Sequence, residues 1–99
     1  NNTINQLVKQ VEQWSINKNL HNSNSDRQAL KFYEEAGEVA AALSRNDKEA
    51  LKDGIGDTIV TLIILAQQQG WTLEGCLQYA YDEIKNRKGK TINGTFIKD

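Results

Sequence analysis

The stretch from residue 25 to residue 69, SDRQALKFYEEAGEVAAALSRNDKEALKDGIGDTIVTLIILAQQQ, decides the fold of this chain of 99 residues. Apolar residues recur at helical spacing on both sides of a short polar break around Asn46. We therefore predict one helix over residues 26–44 and another that is capped by Asn46 and ends at Gly70. Because the break between them is short, the two helices must be antiparallel neighbours.

Helical patterns continue on both sides of this pair. A first helix is predicted over residues 4–18, and Thr72 begins a fourth helix that ends at Lys88. An Asn93-Gly94 pair between β-prone residues predicts a small hairpin over residues 91–97. The sequence thus predicts an all-α fold, with four helices and a short C-terminal hairpin.

Composition narrows the class of protein. The chain is 38% hydrophobic and 25% charged, which is typical of a globular protein, and we predict a single domain over residues 1–99. A net charge near −1 argues against a nucleic-acid partner, and no apolar run is long enough for a membrane span, so we expect a cytoplasmic protein. Cys76 lies on the apolar stripe of the fourth helix and is expected in the core, whereas His21 is expected in solvent.

Two pairs of acidic residues share the faces of the central helices. Glu35 and Glu38 are three residues apart, and Asp53 and Asp57 are four apart, so each pair lies on one helix face. Glu35 and Asp57 are equally distant from Asn46 along the chain, and the other two acids nearly so. The register of an antiparallel hairpin therefore allows all four carboxylates to meet.

A cluster of four carboxylates needs a cation. Like charges within ~4–6 Å oppose each other's ionisation, and the apolar third helix, which should be the central and buried one, adds a desolvation cost. Mg²⁺ takes oxygen ligands and keeps coordination positions for water and phosphates. Gly37, Gly54 and Gly56 remove side-chain bulk beside the acids, at a cost of ~1 kcal/mol each relative to alanine.

These residues resemble the pattern of the MazG-like, all-α nucleoside triphosphate pyrophosphohydrolases. That pattern is Glu-Glu-x-x-Glu, a spacer, and then Glu-x-x-Asp. Residues 34–38, Glu-Glu-Ala-Gly-Glu, match its first half in full. In the second half Asp57 matches the aspartate, but Gly54 stands where the family has glutamate, and Asp53 is one residue earlier.

The resemblance implies a helical-bundle oligomer, a homodimer or homotetramer, that releases pyrophosphate from nucleoside triphosphates with Mg²⁺ or Mn²⁺. By matching positions, Glu35, Glu38 and Asp57 are the implied metal ligands and catalytic residues. Asp53 stands in for the fourth ligand. Glu34 is the implied residue that orients or deprotonates the attacking water.

Cationic residues are candidates for contacts with the triphosphate. Lys31 lies one turn before Glu35, and a basic cluster follows the fourth helix, formed by Arg87, Lys88 and Lys90. Trp14 can stack on a base, although its place on the apolar stripe of the first helix favours the core.

Two other interpretations stay open. In the first, the chain is a non-enzymatic helical interaction module whose acids are surface charges. In the second, the enzyme has the specificity of a dUTPase or of a phosphoribosyl-ATP pyrophosphohydrolase. The first predicts no stabilisation by Mg²⁺, whereas a metal site stabilises the fold by mass action.

Overall fold

The computed structural model describes residues 2–99, which form four helices followed by a hairpin. The helices are α1 (Ile4–Asn17), α2 (Ser25–Ser44), α3 (Lys48–Gln68) and α4 (Leu73–Ile84), and the antiparallel strands are β1 (Gly89–Ile92) and β2 (Thr95–Lys98). The predicted order of elements is confirmed. Within residues 2–99, no helix has the length and apolar character to cross a membrane.

Short polar side chains begin each helix by accepting hydrogen bonds from free backbone amides. Asn24 caps α2 by accepting a hydrogen bond from the amide of Arg27, and the hydroxyl of Ser25 donates to Gln68 Oε1 across 2.9 Å. Asp47 caps α3 by accepting a bond of 3.1 Å from the amide of Ala50. The prediction that Asn46 caps α3 is therefore wrong by one residue.

Asn46 instead forms the turn between α2 and α3. Its φ angle is +59°, in the left-handed region that asparagine tolerates better than most residues. This conformation lets the amide of Asp47 donate to the carbonyl of Ala42 across 2.9 Å, which closes the end of α2. The turn sends α3 back along α2.

Contacts along the α2–α3 pair show that the predicted register is correct. Gly54 packs against Val39, and Gln28 Nε2 donates to the carbonyl of Thr61 across 3.0 Å. Val39 and Gly54 lie at nearly equal distances from Asn46 along the chain, so Glu35 and Asp57, which are equally distant from it, are at the same height. The heights of the acids follow from where the chain reverses.

The core lies along α3, which packs against both α1 and α2. Most of the buried residues of α3 lie in its second half, and α1 and α2 contribute two each, so that the buried set comprises Val8, Ser15, Glu35, Ala42, Gly54, Thr61, Ile63, Ile64 and Ala66. Gln67 Nε2 also donates to the carbonyl of Glu12 across 3.1 Å, which ties α1 to the end of α3. The first half of α3 is more exposed, since Ile55 is 50% accessible. The prediction that α3 is central holds for its second half.

The α4 helix is the least covered element. None of its residues is buried, and Leu77 and Tyr79 are largely exposed. The prediction that Cys76 lies in the core is wrong, because the thiol is exposed. His21 also departs from expectation, since it is half-buried in the turn after α1.

The overall dimensions agree with this open arrangement. The chain exposes 7815 Å², whereas a compact monomer of this mass exposes about 5,700 Å². Its radius of gyration is 15.6 Å, against about 13 Å for a compact domain of 100 residues. The apolar stripe of α4 therefore has too little of this chain to pack against.

The turn at Asn46 gives a first prediction. Asn46→Ala places a β-carbon in the left-handed region and should lower the free energy of unfolding by ~1 kcal/mol. Asn46→Gly should leave it nearly unchanged or raise it, because glycine carries no such penalty. Urea denaturation measures both. Equal losses in the two variants would show that the asparagine side chain, and not its backbone conformation, supports the turn.

Candidate metal and nucleotide site

Glu35 is the most buried acid of the site. Its side chain lies on the face of α2 that packs against α3, and the residue is 8% exposed. Lys31 Nζ is 3.3 Å from Glu35 Oε1 and also 3.3 Å from Glu34 Oε1. The other oxygen, Oε2, is buried and has no hydrogen-bond partner within residues 2–99. A buried carboxylate oxygen without a partner is costly, so this atom points to a ligand.

The predicted proximity of Lys31 to Glu35 is confirmed. Hydrogen bonds to Glu35 and Glu34 raise the pKa of Lys31 above its ordinary value, so the ammonium stays charged. Glu34 is largely exposed. One cation is therefore shared between the buried and the exposed glutamate.

Asp53 and Asp57 lie together on α3. Burial raises the pKa of Asp57 above its ordinary value, and the negative charges of Asp53 and Glu35 raise it further. The Asp53 carboxylate can also accept a hydrogen bond from protonated Asp57. Asp57 thus lies within electrostatic reach of the acid on its own helix and of the buried acid on α2.

Glu38 joins the aspartates in a small polar cleft of about 260 Å³ between α2 and α3. The cleft is lined by Glu38, Asp53, Asp57 and Arg45, together with Ala41, Ala50 and Gly54. Glu38 is exposed, and Arg45 forms an ion pair with Asp47 at 3.7 Å. The structure therefore gathers the predicted acids around one stretch of the α2–α3 interface.

The acids lie in the same region, but their side chains are not arranged as a metal-binding site. Across residues 2–99, no three acidic, histidine or cysteine side chains converge closely enough to hold one ion. Glu35 faces Lys31, and Glu38 is free to rotate at the surface. A common ion would require new side-chain rotamers of these two glutamates.

Comparison with known proteins assigns the chain. The sequence profile of the MazG nucleotide pyrophosphohydrolase domain matches residues 24–92. The chain belongs to the MazG family. The matched segment contains the acids of α2 and α3 and the basic cluster after α4, but it does not include α1 or Trp14. Proteins of the MazG family are nucleotide pyrophosphohydrolases, and they are typically dependent on divalent metals.

One relative comes from a bacteriophage. An uncharacterised protein of 18.2 kDa from the rep-hol intergenic region of Haemophilus phage HP1 (strain HP1c1) is 39% identical to this MazG chain over 66 residues. The alignment covers 66% of this chain and 40% of the relative. The chain therefore spans less than half the length of that protein.

The glycines of the MazG motif differ in their surroundings. A β-carbon at Gly54 would lie 3.1 Å from Val39 Cγ2, so this glycine allows α2 and α3 to approach closely. β-Carbons at Gly37 and Gly56 would meet nothing within 4 Å. Packing against Val39 therefore explains why position 54 is glycine, whereas no contact explains the glycines at positions 37 and 56.

The structure also shows a cleft that the sequence did not predict. It lies between α1 and α3, has a volume of about 700 Å³, and includes Asp53, Gly56 and Asp57 in its lining. Its other wall is the apolar face of α1. The amphipathic pattern of α1 is a signal for burial, so nothing in the sequence distinguished this face from ordinary core.

The remaining candidates lie outside the acidic region. Trp14 is 48% exposed and lines a groove with Leu7, Val11 and Val60, so its predicted place in the core is wrong. The basic cluster is exposed after the end of α4, where Arg87 and Lys88 precede β1 and Lys90 is part of it. Residues 85–99 carry five of the twelve basic residues and a single acid, so positive charge is concentrated in this tail.

The raised pKa of Asp57 gives a second prediction. Folding favours the protonated carboxyl, so its stabilising contribution is complete below pH 3.8 and is lost as the pH rises through the folded pKa. In metal-free protein at pH 7, Asp57→Asn should therefore raise the midpoint of thermal unfolding, and the difference should shrink toward pH 4. Calorimetry in the presence of a chelator measures both values.

Asp26→Asn serves as the control for this prediction. Asp26 lies in the first turn of α2, where a negative charge stabilises the helix, so its neutralisation should lower the midpoint. A fall in the midpoint for Asp57→Asn as well would show that the ionised Asp57 carboxylate is stabilising.

Proposed function

We propose that the chain hydrolyses nucleoside or deoxynucleoside triphosphates to the monophosphate and pyrophosphate, with Mg²⁺ as its metal and Mn²⁺ as a substitute. The observation that carries this proposal is the buried oxygen of Glu35 on α2, which has no partner within residues 2–99 and whose carboxylate lies within electrostatic reach of Asp57 on α3. These acids lie inside the segment that matches the MazG domain. We assign the reaction to the cytoplasm, where nucleotides and Mg²⁺ are present.

The residues present fit a divalent ion. Glu35 offers its unpartnered oxygen, and burial together with the charges of Asp53 and Glu35 raises the pKa of Asp57, a combination that a bound cation would offset. Glu35, Glu38, Asp53 and Asp57 would hold the metal, and hard oxygen ligands of this kind suit Mg²⁺. When bound, the metal supplies charge neutralisation for the phosphates and lowers the pKa of a coordinated water.

The other residues act on the substrate and the water. Glu34 is exposed beside Glu35, and its carboxylate can accept a proton from a water that attacks a phosphorus atom in line. Lys31 places its ammonium between these two glutamates, where it can neutralise a phosphate oxygen. We assign the same role to the basic cluster of Arg87, Lys88 and Lys90, and base stacking to Trp14.

We also propose that the working form is a homodimer or homotetramer. The accessible surface exceeds that of a compact monomer by about 2,100 Å² per chain, and a pair of chains would hide about 4,000 Å² in total. Obligate homodimer interfaces commonly have this size. The apolar stripe of α4 is the natural interface, because none of its residues is buried within the described chain.

Neutralisation of single acids tests the proposed reaction. Glu38→Gln and Asp57→Asn should each lower kcat/KM for pyrophosphate release by about 100-fold or more, because each removes a metal ligand. Glu74→Gln, in the first turn of α4, should retain activity. The assay measures pyrophosphate from a panel of ribo- and deoxyribonucleotides with Mg²⁺. Full activity in both Glu38→Gln and Asp57→Asn would contradict the proposed mechanism.

Thermal unfolding separates the enzyme from a non-enzymatic interaction module. At a Mg²⁺ concentration about 100 times Kd, binding stabilises the fold by about 2.7 kcal/mol, and this gain should be lost in Asp57→Asn. An interaction module with surface acids gives no such shift in the unmodified protein.

Solution mass tests the assembly. Light scattering should give two or four times the monomer mass of 11.2 kDa. Leu77→Glu, on the exposed apolar stripe of α4, should shift the protein toward the monomer, because burial of an unpaired charge opposes association. Gln78→Glu, at the neighbouring position that bonds to Asp82, should keep the native mass. A monomer at micromolar concentration would contradict the proposed assembly.

A further inference from the structure

We infer that Lys31 is an internal counterion that holds the carboxylate of Glu35 in the metal-free protein and is displaced from it when a divalent ion binds. This inference rests on the proposed function and adds a competition between two cations to it. It is carried by one carboxylate whose first oxygen contacts an ammonium and whose second oxygen is buried and free.

The two oxygens of Glu35 have different surroundings. Lys31 Nζ lies 3.3 Å from Oε1, whereas Oε2 is buried and has no hydrogen-bond partner within residues 2–99. The side chain of Glu35 is only 10% exposed, so solvent compensates little of its charge. A second cation on Oε2 would share this carboxylate with Lys31, and two cations that share one carboxylate repel each other. Binding of the metal therefore weakens the contact between Lys31 and Glu35.

Lys31 is free to leave Glu35 at low cost. Its side chain is 53% exposed, and its other partner, Glu34, is 62% exposed with an oxygen 3.3 Å from Nζ. Exposed ion pairs of this kind contribute little to stability, and a lysine ammonium on its flexible stem is readily hydrated. Because the contact with Glu34 does not involve the buried carboxylate, it can keep the ammonium close to the site after Glu35 is released.

The charge of Lys31 also acts on the acids of α3. Burial and the charges of Asp53 and Glu35 raise the pKa of Asp57, and the ammonium of Lys31 acts in the opposite direction. Lys31 thus offsets negative charge on both α2 and α3. A divalent ion would do the same with more charge, which makes the ammonium its competitor.

An ordinary ion pair on a helix surface is the alternative explanation of Lys31. Such pairs are common between residues three or four positions apart. Lys85 and Asp82 form one at the end of α4, with Nζ 3.2 Å from Oδ1 and both side chains well exposed. Lys31 differs because one of its two partners is buried and keeps a free oxygen. Lys85 is therefore a matched control for Lys31.

Metal binding without nucleotide tests the competition. Lys31→Met should lower the Kd for Mn²⁺, measured by electron paramagnetic resonance of the free ion, by about fivefold or more, because the competing charge is gone. Lys85→Met removes the same charge and an ion pair of similar length, and its Kd should stay within about twofold of the unmodified protein. Lys31→Arg keeps the charge and can bond to the carboxylate through two donors, so its Kd should be no lower than that of the unmodified protein.

Thermal unfolding gives a readout that is independent of direct binding. In the presence of a chelator, Lys31→Met should lower the midpoint more than Lys85→Met, because Glu35 is buried and loses its contact, whereas Asp82 is exposed. Saturating Mg²⁺ should narrow the difference between Lys31→Met and the unmodified protein, since the variant gains more from the metal.

The unmodified protein supplies a readout that needs no variant to fold. In NMR spectra of the lysine ammonium groups, the signal of Lys31 should shift as Mg²⁺ is added, because its contact with Glu35 is lost. The signal of Lys85 should not move, because its partner Asp82 is far from the acids of α2 and α3 along the chain.

The outcomes distinguish this inference from the proposed function. If the unmodified protein neither binds Mn²⁺ nor releases pyrophosphate, the proposed function fails, and the competition fails with it. If it releases pyrophosphate and a folded Lys31→Met variant binds Mn²⁺ with unchanged affinity, Lys31 forms only a surface ion pair and the inference alone is wrong. Weaker binding by this variant would show that Lys31 positions Glu35 for the metal, which also overturns the inference.

Discussion

The reversal of the chain at Asn46 is the constraint on which the rest of the structure depends. A single residue in the left-handed conformation closes α2 and directs α3 back along it. The close approach of Gly54 to Val39 then fixes the spacing of the two helices where the acids lie. A shift of one residue in this turn would rotate each acidic pair by about 100° around its helix axis. The relative positions of the acids therefore depend first on the register of α2 against α3, and only then on the chemistry of their side chains.

The site also conflicts with the stability of the metal-free fold. Asp57 is placed where burial and two neighbouring carboxylates disfavour its charge, and Glu35 keeps a buried oxygen without a partner. Lys31 relieves part of this conflict by bonding to Glu35. These are costs that a protein selected for stability alone would avoid, and they are concentrated in the segment that matches the MazG domain. A divalent ion bound between these carboxylates would relieve the conflict.

The fold and the register could be predicted from the sequence, because both depend on local signals. Helical periodicity, glycine at the end of α3 and the Asn93-Gly94 turn each act over a few residues. The count of residues on either side of Asn46 was enough to bring Glu35 and Asp57 to one height. The exact cap of α3 was missed, because asparagine and aspartate are adjacent and both can begin a helix or end one.

Burial on α1 and α4 could not be predicted in the same way. Trp14 and Cys76 lie on apolar stripes that read as core, yet both are exposed in the single chain. An apolar stripe indicates that a face is covered but not which molecule covers it. The side-chain orientation of Glu35 could not be predicted either, since it depends on the ion pair with Lys31. The spacing of residues along one helix does not show what packs against the apolar stripes of α1 and α4.

Charge is distributed unevenly along the chain. Residues 85–99 carry five basic side chains and one acid, a charge of +4, so the preceding residues carry −5 within the total of −1. A triphosphate that approaches the acids of α2 and α3 therefore meets a negative body, and Lys31 is already engaged by two glutamates. Binding of an anion in such a field requires added positive charge, from a metal, from the tail or from both. The low net charge of the chain thus results from two regions of opposite charge. This separation suits the proposed site, where anionic phosphates would lie beside anionic side chains.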